Sequence, residues 1–202
     1  MMLSGCRPAL LIVDVQRDFC VGGALEIPDG NRVIPPLNQL IHAFATAERP
    51  IYASRDWHPH ESVHFASHGG QWPVHCVAGT RGAQFHDDLA LPGAAVVVTK
   101  GEAPTADGYS AFEGRTGSGT LFGEALTRQR VTHLYVGGLA TDYCVLQSVL
   151  DARSLGFDVT VVADALAGVE LTPGDINRSL VQMQAAGAAV VSSRDVASQL
   201  CP

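Results

Sequence analysis

The chain has 202 residues, 47% of them hydrophobic, and a formal net charge of −7. This fits one globular domain over residues 1–202 with a sizeable core, and it leaves little room for a long disordered tail. Low aromatic content and the lack of any Lys/Arg run argue against a nucleic-acid surface, and no apolar run approaches the ~18 residues that a membrane span needs.

Residues 9–13 form a continuous apolar run ending in Asp14, the pattern of a strand buried on both faces. Gly22-Gly23, Pro28 and Gly30 mark a loop, and residues 33–47 carry a mainly helical pattern. A second run, 51–54, ends in Arg55-Asp56. Residues 57–92 show no convincing periodicity but hold five histidines between positions 58 and 75, and a loop of that length is more often functional than idle. The third run, 94–98, leads to Lys100. A polar, Gly-rich stretch follows, then a helical pattern from about 120 to 129. Residues 134–136 make a fourth strand that stops at Gly137-Gly138. Thr141 is read as the N-cap of the next helix, with Asp142 in its first turn and a face of Val145, Val149, Ala152 and Leu155. A strand at 159–163 ends at Asp164, a helix opens at Pro173 and reaches about 186, and 188–191 makes the sixth strand. Strands alternate with helices, so the expected fold is α/β: a doubly wound, six-stranded, mostly parallel sheet with helices on both faces.

The active crevice of such a sheet lies beyond the carboxyl ends of its strands. Asp14, Asp56, Lys100 and, one turn into a helix, Cys144 all fall there. Polar residues must begin wherever a buried strand exits, and a lone Cys is commonly a small buried hydrophobe. That reading explains any one of the four better than it explains an acid, a base and a thiol together. At a helix start the Cys144 thiol is expected below its free pKa of ~8.5. Asp14 is the available base, although Asp and Cys differ by roughly 4–5 units in reference pKa. Lys100 can close that gap by favouring the thiolate, and burial by raising Asp14. Asp164 competes for the base role and is read as a loop-anchoring acid. The N–H groups of Ala140 and Cys144 can converge as an oxyanion hole.

A second cluster lies in the long loop. Asp56 and His58 are two apart, so an extended chain points both to one side, and His64 and His75 can complete a set of one carboxylate and three imidazoles. His60, His68 and His86 are alternatives on spacing alone. Such a set suits zinc, iron or manganese better than magnesium or calcium. The five cysteines, at 6, 20, 76, 144 and 201, are odd in number and not paired in spacing. With no secretory apolar segment ahead of Asp14, they point to a reducing, cytoplasmic setting.

These pieces occur together in a known order. They are Asp14-Val-Gln-Arg-Asp-Phe19, Asp56-Trp-His-Pro-His-Glu-Ser-Val-His-Phe65, Trp72-Pro-Val-His-Cys-Val-Ala-Gly79, Lys100-Gly101, Tyr109-Ser-Ala-Phe112 and Gly138-Leu-Ala-Thr-Asp-Tyr-Cys-Val145. Over nearly its whole length the chain resembles the nicotinamidases, within the isochorismatase-like cysteine hydrolases. The resemblance implies a catalytic triad of Asp14, Lys100 and Cys144, and a cis peptide between Leu139 and Ala140 beside the oxyanion donors. It implies one divalent metal ion, zinc before iron or manganese, on Asp56, His58, His64 and His75 within a metal-binding loop at about 56–92. His60 and His68 fall outside that pattern. It also implies a small-molecule substrate, nicotinamide, contacted by Phe19, Trp72, Leu139 and Tyr109 and hydrolysed to nicotinate through a thioester. Pyrazinamide would be a further substrate, and a homo-oligomer is possible. A hydrolase of another small amide is the alternative. A nucleotide-binding oxidoreductase is disfavoured, because no Gly-x-Gly-x-x-Gly follows the first strand.

Overall fold

The structure, a computed structural model, describes residues 6–200; Cys201 lies outside the described residues. Strand β1 (Pro8–Val13) is buried at every position. Its period of two sends Leu10 and Ile12 into one apolar layer and Ala9, Leu11 and Val13 into the other. The first layer is closed by helix α1 (Ile34–Thr46), through Leu37, Leu40 and Phe44, and by α5 (Ser193–Leu200), through Val196 and Leu200. The second is closed by α2 (Phe122–Arg128) and α3 (Leu146–Ser154), with Met183 of α4 (Asp175–Ala185). No helix among the described residues is long and apolar enough to cross a membrane.

Among the described residues the sheet has seven strands, in the order β4 (Arg115–Thr116), β3 (Val96–Lys100), β2 (Ile51–Asp56), β1, β5 (His133–Leu139), β6 (Asp158–Ala167), β7 (Ala189–Val191). From β1 the chain moves outward through β2 and β3, then returns to place β5 on the other side of β1. It then moves outward again through β6 and β7. The direction of winding reverses between β1 and β5, and a crevice opens beyond the strand ends at such a point. Asp14 leaves β1 on one side of it and the β5–α3 turn leaves on the other.

The doubly wound architecture matches the expectation, with three corrections. The seventh strand is β4 (Arg115–Thr116), two residues paired antiparallel to β3 at the edge, too short to produce a periodicity. Helix α5 was also not expected, because eight residues with two large apolar side chains give a weak signal. Asp164 does not end a strand, since β6 runs on past a register shift against β5. Its carboxylate accepts from Ser193 N at 2.7 Å and Ser193 Oγ at 2.6 Å, so it anchors the start of α5, far from the base role.

Candidate active site

Parallel register places the first group of side chains. Asp56, the last residue of β2, pairs with Lys100, the last of β3, and Val13 pairs with both Ser54 and Gly138. Asp14, one residue past β1, takes a left-handed conformation (φ 49°) that an Asp tolerates better than most residues. The Leu139–Ala140 peptide is cis. The chain then enters a π-helical turn, Thr141–Val145, before α3 begins. Thr141 is therefore the first residue of that turn and not its cap. Ala140 stands at the cap position, and its carbonyl accepts from Tyr143 N and Val145 N, each at 3.1 Å. Single π-turns concentrate at functional sites, and this one lifts Cys144 to the crevice floor.

At the centre sits the buried Lys100 ammonium. It donates to Asp56 Oδ1 at 2.5 Å, Gly108 O at 2.7 Å and Cys144 Sγ at 3.5 Å. Asp14 Oδ2 lies 2.8 Å from the same Nζ, a buried ion pair. Ser54 Oγ donates to the other oxygen, Oδ1, at 2.8 Å, which orients the Asp14 carboxylate. A carboxylate oxygen of Asp14, one of Asp56 and Cys144 Sγ lie within 4.8 Å of one another. An acceptor, a cation and a thiol thus share one buried site.

Burial raises the Asp14 pKa to about 6, against the pull of Lys100. Burial likewise disfavours the Asp56 anion, but Lys100 and then His58 overcome it and hold Asp56 below the usual carboxylate range. Lys100 loses solvation, yet Asp14 and Asp56 together keep it well above the ordinary lysine value. Burial pushes the Cys144 thiol well above its ordinary value; Lys100 pulls it back only in part, and Asp14 and Asp56 add to the rise. The expectation of a lowered thiol pKa at the helix start is therefore corrected. Lost solvation and two carboxylates outweigh one ammonium, so only the raised Asp14 works to close the gap between base and thiol, and the raised thiol works against it.

The second cluster is equally buried. His58, His64 and His75 each bring a ring nitrogen within 4.8 Å of the others. Their Nδ1 atoms face acceptors: Gly101 O at 3.1 Å for His58, Asp107 Oδ1 at 3.3 Å for His64 and Pro73 O at 2.7 Å for His75. An Nδ1–H committed outward leaves the Nε2 lone pair for the centre, the usual arrangement of metal-binding imidazoles. His58 Nε2 is buried and finds no partner among the described residues. Burial lowers the pKa of His64, and takes that of His75 to about 4, so both are neutral near pH 7 and available as ligands. The donor set fits a divalent metal of the zinc type. Asp56 stands beside it, with Oδ2 3.8 Å from His58 Nε2 while Oδ1 takes Lys100. His60 and His68 are exposed, and His86 bonds Asn31 instead.

Asp56, His64, His75 and Cys144 open on one cavity, walled by Phe19, Trp72, Tyr109, Ala140, Tyr143 and Val169. Trp72 Nε1 donates to Tyr109 OH at 2.9 Å, and Trp72 meets the Tyr143 ring edge-on at 4.8 Å. The free volume is about 30 Å³, the room of roughly one water. Leu139 was expected at the substrate, but it is buried in the core and does not line this cavity. A larger open groove of about 520 Å³ lies elsewhere, against Phe112, Leu121, Leu155 and Phe157, and holds none of the reactive groups.

Several contributors escaped the sequence reading. The buried Gln16 side chain donates to Asp56 O at 2.8 Å and Ala83 O at 2.9 Å and accepts from Asp56 N at 2.7 Å, tying the end of β2 to the loop. Asp142 accepts from Val169 N at 3.0 Å and Glu170 N at 2.7 Å, which holds the Val169 wall. Gln16, two residues beyond Asp14, carried the same signal of a polar residue at a buried strand exit. Val169 had no signal, since its role depends on a fold-back after β6.

Residues 8–195 match the family model described as an Isochorismatase domain. The chain belongs to the isochorismatase family. It is 42% identical to a nicotinamidase of Escherichia coli (strain K12), covering 93% of this chain and 95% of that one. Among solved structures of the family, a pyrazinamidase of Pyrococcus horikoshii in complex with zinc superposes with a TM-score of 0.85 at 40% identity, over 92% of this chain and 99% of that one. PnC1 from L. infantum in complex with nicotinate gives 0.82 at 32% identity, over 96% of each chain.

Proposed function

We propose that the protein is a metal-dependent thiol amidohydrolase that converts nicotinamide to nicotinate and ammonia, with pyrazinamide as a further substrate. The carrying observation is that Cys144 and Asp56, both bonded by the buried Lys100 ammonium that also pairs with Asp14, open on one cavity with His64 and His75, whose ring nitrogens converge with that of His58. The relatives named nicotinamidase and pyrazinamidase, and the structures with zinc and nicotinate, support the same substrate class.

In the reaction, Cys144 Sγ attacks the carboxamide carbon as its proton passes to Asp14, whose raised pKa makes it a better base than an exposed Asp. Lys100 holds the developing thiolate and the Asp14 carboxylate in one place. The oxyanion meets the N–H groups of Ala140 and Cys144; that of Ala140 has no acceptor among the described residues. Asp14 returns its proton to the amide nitrogen, the C–N bond breaks, and ammonia leaves a thioester on Cys144. Asp14 then takes a proton from water as the water oxygen attacks the thioester carbon, and the carboxylic acid departs as the proton passes back to sulfur. Asp56, His58, His64 and His75 would hold zinc, which supplies a Lewis-acid contact to the pyridine nitrogen. Phe19 and Trp72 flank the ring, so the carboxamide is presented to Sγ in one orientation.

The test is to incubate the zinc-loaded protein with nicotinamide, quantify ammonia and nicotinate, and analyse rapidly quenched samples by mass spectrometry. Equal yields of both products and a nicotinoyl group on Cys144 are expected. No product, or an acyl group on another residue, contradicts the reading.

A further inference from the structure

Residues 101–108 form no regular element, yet this one segment offers acceptors to both clusters. Gly101 O faces His58 Nδ1 at 3.1 Å, Asp107 Oδ1 faces His64 Nδ1 at 3.3 Å, and Gly108 O accepts from Lys100 Nζ at 2.7 Å. Pro104 O also accepts from Val63 N at 2.8 Å, beside His64. Glycine is required where the segment presses inward. A Cβ on Gly101 would stand 2.6 Å from His58 Cε1, and one on Gly108 would stand 2.6 Å from Gly101 Cα.

The three imidazoles are not secured alike. His58 and His75 bond main-chain carbonyls, which the surrounding fold fixes. His64 depends on a side chain, and the Asp107 side chain is 64% exposed. Its carboxylate accepts the His64 Nδ1–H, sets the tautomer and turns Nε2 toward the other two rings.

We propose that Asp107 is a positioning residue for the metal centre, making His64 the adjustable ligand and tying the affinity for a divalent metal to one surface carboxylate. The proposal rests on the metal-dependent reading above. Loss of such an outer partner weakens metal binding about 10–100-fold, and the exposure of Asp107 places the effect near the lower bound.

Zinc affinity measured by competition with a chromogenic chelator tests this directly, with no reliance on turnover. Asp107→Ala should raise the zinc Kd about tenfold. Asp107→Asn should raise it less, because its side-chain oxygen still accepts from Nδ1. Glu61→Gln removes an exposed charge from the loop that carries His64 and should leave the Kd unchanged. Iodoacetamide should alkylate Cys144 in the metal-free variants as fast as in the wild type, which shows that the site stays folded. An Asp107→Ala protein that binds zinc like the wild type overturns the inference, as does an equal loss in Glu61→Gln, which would reduce it to general charge. A wild type that takes up no zinc would instead remove the metal from the proposed function, and this inference with it.

Discussion

The two halves of the site are equally buried but are held by different means. Asp14, Asp56, Lys100 and Cys144 stand at strand ends or one turn beyond, where the ladders of β1, β2, β3 and β5 set their spacing. His64 and His75 stand in a loop whose only regular pieces are a three-residue helical turn and isolated bridges, and the imidazoles are aimed by bonds to single acceptors. A site on rigid elements is fixed by the whole sheet, whereas a site on a loop is fixed by a few neighbours. The nucleophile half should therefore survive loss of the metal half, and its chemistry should be the harder of the two to tune.

Separating the halves gives the largest effects. Cys144→Ala should reduce turnover by at least ~10⁴-fold, as expected when a nucleophile is removed, while zinc binding by chelator competition stays at the wild-type value. Impaired zinc binding in that variant would mean that the halves are one cooperative unit. In the reverse direction, His58→Ala should weaken zinc binding beyond the ~10–100-fold of an outer partner, with Cys144 still alkylated at the wild-type rate. A thiol that becomes unreactive would show that the imidazoles support the crevice itself.

Lys100→Met strikes the group that joins the halves. It leaves Asp14 and Asp56 buried without a cation, so denaturant unfolding should show a loss of about 3–5 kcal/mol. The pH profile of Cys144 alkylation should move upward, because Lys100 favours the thiolate. An unmoved profile would reduce Lys100 to a structural ion-pair partner. A smaller effect follows from Asp14, whose pKa is raised to about 6. As the pH falls below 6 the carboxylate takes up a proton and the base is lost, so kcat/KM should fall about tenfold per unit. Stability runs the other way for this group. A raised folded-state pKa favours folding below its unfolded value of 3.8, and that contribution is lost as the pH rises through 6. A flat kcat/KM between pH 5 and 7 would assign the base role elsewhere.

The same contrast decides what was legible in the sequence. Each strand-end residue was readable because a buried run makes its own exit conspicuous, and the switch point gathers such exits on one edge. The pattern of α1, β1, β2 and β5 was equally plain. The imidazole set was legible only as alternatives by spacing, and the family resemblance, not periodicity, separated His64 and His75 from His60 and His68. Leu139, implied at the substrate by the resemblance, is buried in the core instead, because a residue beside the turn can still send its side chain inward. The thiol pKa was misjudged for a different reason: a helix start is visible in sequence, but the depth of burial and two nearby carboxylates are products of the fold.

The central claim is that the imidazole half holds the ring while the sheet half does the chemistry. Nicotinamide and benzamide share the carboxamide and nearly the same shape, and in the proposed site both rings would lie between Phe19 and Trp72. They differ at the ring nitrogen, and a site built around such a contact can reject the analogue that lacks it. The deciding measurement is the ratio of kcat/KM for nicotinamide over benzamide, by ammonia release, in zinc-loaded protein and after dialysis against a chelator. The account predicts a large ratio in the loaded protein that collapses on chelation, mainly by loss of nicotinamide turnover. Comparable hydrolysis of the two amides by the zinc-loaded protein would contradict it and leave Asp56, His58, His64 and His75 as a structural clamp on the loop.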